Sequence, residues 1–234
     1  MILARADFLA GLRASLPLLV GISPFGLMTG VAMVAGGVPA FEAVAISVLV
    51  FAGASMLAMT QLFAAGSPVL LIVAAAFFIN LRFMMYSAGL RLHFAALPLR
   101  WRLVLAYLCA DNAIALFSAR AAQHPGDPVE AKFAQYLGAA IPIWVVWQVT
   151  VAAGVLLGAT LPAAWKLEFA APLAFIAMSV PFVRDRALLA AAGFAGVTAV
   201  LAHGLPLKTG LALAAVAGIA AGLLAERLQP RGAA

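Results

Sequence analysis

SLPLLVGISPFGLMTGVAMVAG, residues 15–36, is a run of 22 residues without one charged side chain. A helix needs about 20 predominantly apolar residues to cross the hydrocarbon core of a bilayer. Arg5 and Arg13 precede the run, as in a signal peptide. The apolar core of a signal peptide is only about 7–15 residues long, and this one is longer and interrupted by Pro17, Gly21, Pro24 and Gly26. The stretch is therefore expected to be a first membrane segment that stays in the mature chain. Working outward, similar runs lie near 43–64, 69–92, 103–119, 134–159, 168–183, 187–204 and 208–225.

Composition agrees with that reading. Apolar residues make up 66% of the 234 and charged residues 9%, with a mean hydropathy of +1.13. A soluble domain carries about 45–50% apolar and about 25% charged residues, and one core could not hide the excess. A membrane β-barrel would show short segments alternating apolar and polar, whereas these runs are continuous. The expected fold is all-α: a polytopic transmembrane helical bundle of seven or eight segments, the sixth short enough to be a half-span. The expected organisation is one transmembrane domain over 1–234. The polar stretch HPGDPVEAK (124–132) divides it into candidate repeat halves, 1–123 and 133–234. Pro17 and Pro142 occupy matching places in the two halves, as do Glu42 and Glu168. The halves would be inverted if each held an odd number of spans, and parallel if each held four.

The net charge is +6, but the basic residues sit in loops and at the termini, so they read as topology signals rather than a nucleic-acid face. With eight spans and the amino terminus inside, eight basic residues fall on the cytoplasmic side and five on the other. The loop bearing Arg91, Arg100 and Arg102 is the one at odds with the bias, and an early re-entrant hairpin would change the count. Cys109 is the sole cysteine, so it has no disulfide partner and reads as packing. His93, His124 and His203 are scattered, and no metal or cofactor site is expected. No nucleotide-binding, nucleophile-elbow or zinc-protease motif occurs, so no enzyme activity is expected.

Polar and helix-breaking groups at membrane depth carry the functional reading, because lipid makes them costly. Ser23, Pro24, Phe25 and Gly26 lie mid-way along the first segment, where Pro24 between glycines predicts a helix break over Gly21–Gly26. Such breaks expose backbone groups that can hold a solute. Asn80 and Arg82 lie in the third segment, Asp111 and Asn112 in the fourth. Counted from Leu97 in the connecting loop, Arg82 is 15 residues before and Asp111 14 after. In an antiparallel hairpin they share one depth, roughly 15 Å from the interface at about 1.5 Å per residue, and an ion pair is the natural way to carry both charges there. Gln61 in the second segment is a lesser binding candidate. Trp144 and Trp147 read as interfacial, and Gly154 with Gly158 as a helix-packing pair.

Several of these residues, taken in order, resemble the AzlC family, the large subunits of branched-chain amino acid exporters. They are Pro17 with Gly21-Ile22-Ser23-Pro24-Phe25-Gly26, then Phe51-Ala52-Gly53-Ala54-Ser55, Asn80-Leu81-Arg82 with Tyr86, Asp111, and Leu167-Glu168-Phe169-Ala170-Ala171-Pro172 with Phe175. The resemblance implies a multi-pass protein of the cell inner membrane. It further implies a small AzlD-like membrane subunit as partner and export of valine, leucine, isoleucine or analogues on an ion gradient. It puts a glutamine where this chain has Met56 and an acidic residue where it has Asn112. A non-transporting scaffold or regulatory subunit and a small-solute channel are the rival readings. Gly210, Gly218 and Gly222 in the last segment offer a thin face on which a partner helix is expected to sit.

Overall fold

A computed structural model describes residues 5–160, 185–202 and 209–228, and every described element is helical. The expected segment at 168–183 lies outside these residues, as do Glu168 and His203. The chain divides into two compact units, Met1–Ala177 and Met178–Ala234.

In the first unit, α1 (Arg5–Ala35) and α8 (Val129–Thr160) are its longest helices. They pack along their lengths because glycine on either helix lets the other's backbone in. A Cβ on Gly11 would strike Gln135 and Ala139, one on Gly138 would strike Phe8, one on Gly154 would strike Leu27, and one on Gly158 would crowd Val31. These pairs ascend together, so α1 and α8 run parallel. Gly154 and Gly158 thus pack helices as their spacing suggests. The helices that open the two candidate halves are therefore not inverted relative to each other.

Between them lie two V-shaped helix pairs. α2 (Ala40–Val50) starts a short turn after α1 and descends beside α8, where Ser47 meets Gln148. α3 (Gly53–Ala64) then climbs back: Gly53 lies against Phe25, while Thr60 and Phe63 reach Gly36 and Gly37 at the end of α1. At the apex Phe51 takes left-handed backbone angles, φ 44° and ψ 45°, a conformation costing a non-glycine residue about 1–2 kcal/mol. α4 (Val69–Asn80) and α5 (Arg82–Phe94), with Leu81 between them, form a single apolar crossing of 26 residues. α6 (Leu99–Tyr107) and α7 (Asp111–Gln123) meet at Leu108–Ala110 with a bend of 118°. α7 returns toward the end of α5, since the Phe117 ring lies 5.1 Å from His93 and 5.2 Å from Phe94.

At about 1.5 Å per residue, each arm of a V is only about 14–20 Å long, roughly half of the ~30 Å hydrocarbon core. In a membrane both pairs would enter and leave by one side. Three helices among the described residues are long and apolar enough to cross: Arg5–Ala35, Val69–Phe94 and Val129–Thr160. The expected crossings at 43–64 and 103–119 are thus corrected to V-shaped pairs. Apolar composition cannot distinguish a helix that crosses from one that turns back. The two pairs also repeat locally. Pro39 and Pro98, 59 residues apart, precede α2 and α6, and the extended residues Ala52 and Ala110, 58 apart, precede α3 and α7.

Among the described residues of this unit, the path removes the charge imbalance. Arg5, Arg13, Arg91, Arg100, Arg102, Arg120 and Lys132 all fall toward the end at which α1 and α8 begin. The described residues at the opposite end of this unit carry Glu42 and no lysine or arginine. The positive-inside bias assigns the amino-terminal end to the cytoplasm.

In the second unit, α9 (Arg186–Leu201) is capped by the Asp185 carboxylate, which accepts from the Leu188 N–H at 2.8 Å. It packs antiparallel to α10 (Thr209–Leu228). A Cβ on Gly218 would come 2.8 Å from Ala195, and one on Gly222 would come 3.1 Å from Ala191. These two glycines therefore serve contact within the chain, not the free partner face expected of them.

Candidate functional site

Both V apexes lie mid-way through the first unit, and the side chains around them satisfy the backbone groups that a broken helix frees. The Tyr107 hydroxyl donates to the Val48 carbonyl at 2.8 Å and accepts from the Trp144 indole at 2.9 Å. Ser47 and Gln148 exchange two bonds: the Ser47 hydroxyl donates to Gln148 Oε1 at 2.8 Å, and Gln148 Nε2 donates to the Ser47 carbonyl at 3.2 Å. The Tyr136 hydroxyl lies 3.4 and 3.5 Å from the carbonyls of Leu105 and Leu108, where α6 ends. α8 therefore holds both breaks in place. Tyr107 joins them, its ring 6.4 Å from that of Phe51.

Asp111 opens α7 at the second apex. Its Oδ2 lies 3.2 Å from Arg82 Nη1, and its Oδ1 accepts from the Tyr86 hydroxyl at 2.8 Å. The equal-depth count from Leu97 thus brings together the right pair, even though α7 turns back after Asp111 instead of crossing. Arg82 and Tyr86 share one face of α5 because they are four residues apart. The α7 start suits a carboxylate: its first N–H groups point toward the apex and the helix dipole favours negative charge there. The chain leaves the pair partly uncovered, with side-chain exposures of 33% for Arg82 and 44% for Asp111. Asn80 Oδ1 and Arg82 Nε are buried and have no hydrogen-bond partner. Asn112, next along α7, is half-buried.

The remaining candidates sit elsewhere. Residues 21–26 run as uninterrupted α-helix through Pro24, which corrects the expected break. The Ser23 hydroxyl donates to the Leu19 carbonyl of its own helix at 2.7 Å, and Pro24 is exposed. Phe25 packs against Trp147 at a tilt of 50° with ring centroids 5.4 Å apart, and Gly26 makes room for Thr150. A Cβ on Gly53 would come 2.5 Å from the Phe25 ring and 2.7 Å from Trp147. This ties Ser-Pro-Phe-Gly to Phe-Ala-Gly-Ala-Ser as one packing unit around the first apex. Among the described residues, no hydrogen bond or ion pair joins Ser23–Gly26 to Arg82, Tyr86 or Asp111. Gln61 is exposed near the outer end of α3. Trp147 is buried instead of interfacial, and Trp144 belongs to the apex bonds.

Tyr86 entered the sequence reading only through the family resemblance, although its spacing of four residues from Arg82 marks it as a partner of the pair. Two groups, Tyr107 and Gln148, escaped it, because the breaks that need them have no proline. Among the described residues, no three His, Cys, Asp or Glu side chains converge as metal ligands. The family model described as AzlC protein matches residues 17–161, more than half of the chain. No curated protein and no solved structure matches it.

Proposed function

The chain belongs to the AzlC family, and from that premise we propose that it is the large membrane subunit of a secondary transporter that exports branched-chain amino acids across the cell inner membrane. Family membership and three membrane-length apolar helices support a multi-pass membrane protein with a transport-related role. The narrower reading rests on one observation, the half-exposed Arg82–Asp111 pair with Tyr86 at the apex of a broken helix pair.

A zwitterion carries the same two charges as that pair. Its ammonium can take Asp111 and its carboxylate can take Arg82, so substrate replaces one ion pair with two and strands no charge in a low-dielectric site. The unpaired N–H groups at the starts of α3 and α7 offer the carboxylate a further hold, as half-helix starts do in other transporters. Apolar side chains line the surroundings and accept an aliphatic side chain, and burying each methylene contributes about 0.8 kcal/mol. A small AzlD-like membrane subunit completes the transporter in this reading. It is expected against an exposed apolar face of the first unit.

The test is counterflow of labelled valine and leucine in proteoliposomes, with and without the small neighbouring membrane protein. The proposal expects exchange that depends on the partner and is competed by isoleucine but not by lysine or glutamate. Full exchange by the isolated chain would remove the partner from the account. No exchange of any branched-chain amino acid by the two together would remove the substrate class.

A further inference from the structure

Between α5 and α7 lies a cleft of about 430 Å³, within the range of about 300–1,000 Å³ typical of small-molecule sites. It runs along both helices from Tyr86 and Ile114 at mid-depth to His93 and Ala122 near the cytoplasmic end. Tyr86 belongs to two structures at once: it lines the cleft and donates to Asp111. Ile114 stands one helical turn beyond Asp111. The cleft therefore ends at Tyr86, one hydrogen bond from the ion pair.

Its lining is mixed: Met85 and Leu92 are exposed apolar side chains, and Tyr86, His93 and Ser118 set polar groups among them. On α5, Arg82, Tyr86, Gly89 and His93 recur at helical spacing on one face, and on α7 Ser118 follows Asp111 by seven residues, also on one face. These stripes face each other across the cleft, with Phe117 and Leu90 between them. A tyrosine, a histidine and a serine along one seam would be costly against hydrocarbon and are well placed against water or a polar solute. Gly89 borders open space, since a Cβ there would meet nothing within 4 Å.

We infer that the α5–α7 cleft is the cytoplasmic access route along which water and an amino acid zwitterion reach Asp111. The choice of occupant rests on the transport reading above, whereas the route itself does not. The apolar side chains on the walls accept an aliphatic side chain, while the Tyr86–Ser118 seam solvates the charged end in transit.

The experiment replaces Cys109, the sole cysteine, by alanine and introduces Ser118→Cys or Gly89→Cys in the cleft. Val73→Cys, on the exposed apolar face of α4, is the comparison. A charged, membrane-impermeant thiol reagent is applied to inside-out and right-side-out vesicles. Both cleft cysteines should react at least about tenfold faster than Val73→Cys from the cytoplasmic side only, because a thiol facing lipid ionises poorly and the reagent cannot reach it. Leucine should slow the reaction. If both cleft positions are as inert as Val73→Cys while leucine flux persists, the route is overturned and the transport reading stands. If they react only with an apolar reagent, lipid or a partner helix fills the cleft, and the route is likewise overturned. If they react from the cytoplasmic side without protection by any branched-chain amino acid, the route holds and the substrate assignment fails.

Discussion

Asp111→Asn removes one charge and little else, because the amide oxygen can still accept from Tyr86. Its cost follows from where Arg82 is left. In water, a pair with side chains 33% and 44% exposed would contribute at most about 1 kcal/mol. At the middle of a bilayer, a lone arginine costs about 2.5–3.5 kcal/mol. The site lies between these limits, so Asp111→Asn and Arg82→Gln should each cost about 1–3 kcal/mol of stability. The double variant Arg82→Gln/Asp111→Asn strands no charge and should be more stable than either single one. Thermal unfolding of the four proteins in lipid nanodiscs completes the cycle, and a coupling of at least about 1 kcal/mol is expected for residues in contact. Exchanging the charges, with Arg82→Asp and Asp111→Arg, should likewise recover part of either single loss. Single costs that add to within about 0.5 kcal/mol in the double variant would show that the two residues act independently and would refute the reasoning.

Other predictions follow from packing and topology. Gly53→Ala pushes a methyl into the rings of Phe25 and Trp147 and should destabilise by about 1–3 kcal/mol. Gly21→Ala meets open space and should be neutral or stabilising by up to about 1 kcal/mol; thermal unfolding of both variants checks the contrast. Tyr107→Phe leaves the Val48 carbonyl and the Trp144 indole unpaired, with an expected loss of about 1–3 kcal/mol read in the same assay. Reporter fusions at Gly66 and at Leu97 should report opposite sides of the membrane, with Leu97 cytoplasmic. The reverse assignment would contradict the V-shaped path.

The fold was legible in the sequence where one physical term dominates and opaque where several compete. Hydropathy alone identified the three long apolar helices, because nothing but burial in lipid accommodates such runs. The depth of Arg82 and Asp111 was legible because helical rise is constant and both segments leave one short loop. The turn at Leu108–Ala110 was not, since Ala-Ile-Ala-Leu-Phe after Asp111 reads as a crossing and neither glycine nor proline marks the break. Pro24 misled in the opposite direction. A proline removes one backbone bond, and the close seat of Phe25 and Gly26 on Trp147 and Thr150 keeps α1 helical across it. The breaks that do occur are maintained by Tyr107, Tyr136, Ser47 and Gln148, partners distant in sequence and invisible to a local reading.

The most direct test of the central claim uses the double variant Arg82→Gln/Asp111→Asn, because it removes the charges without leaving either stranded. Counterflow of labelled leucine is measured for it and for the wild type, each reconstituted with the small membrane partner at equal protein density. The account predicts exchange by the wild type and none above empty liposomes by the variant, with thermal unfolding showing both folded. Exchange by the folded variant at the wild-type rate would contradict the claim that the Arg82–Asp111 pair receives the amino acid.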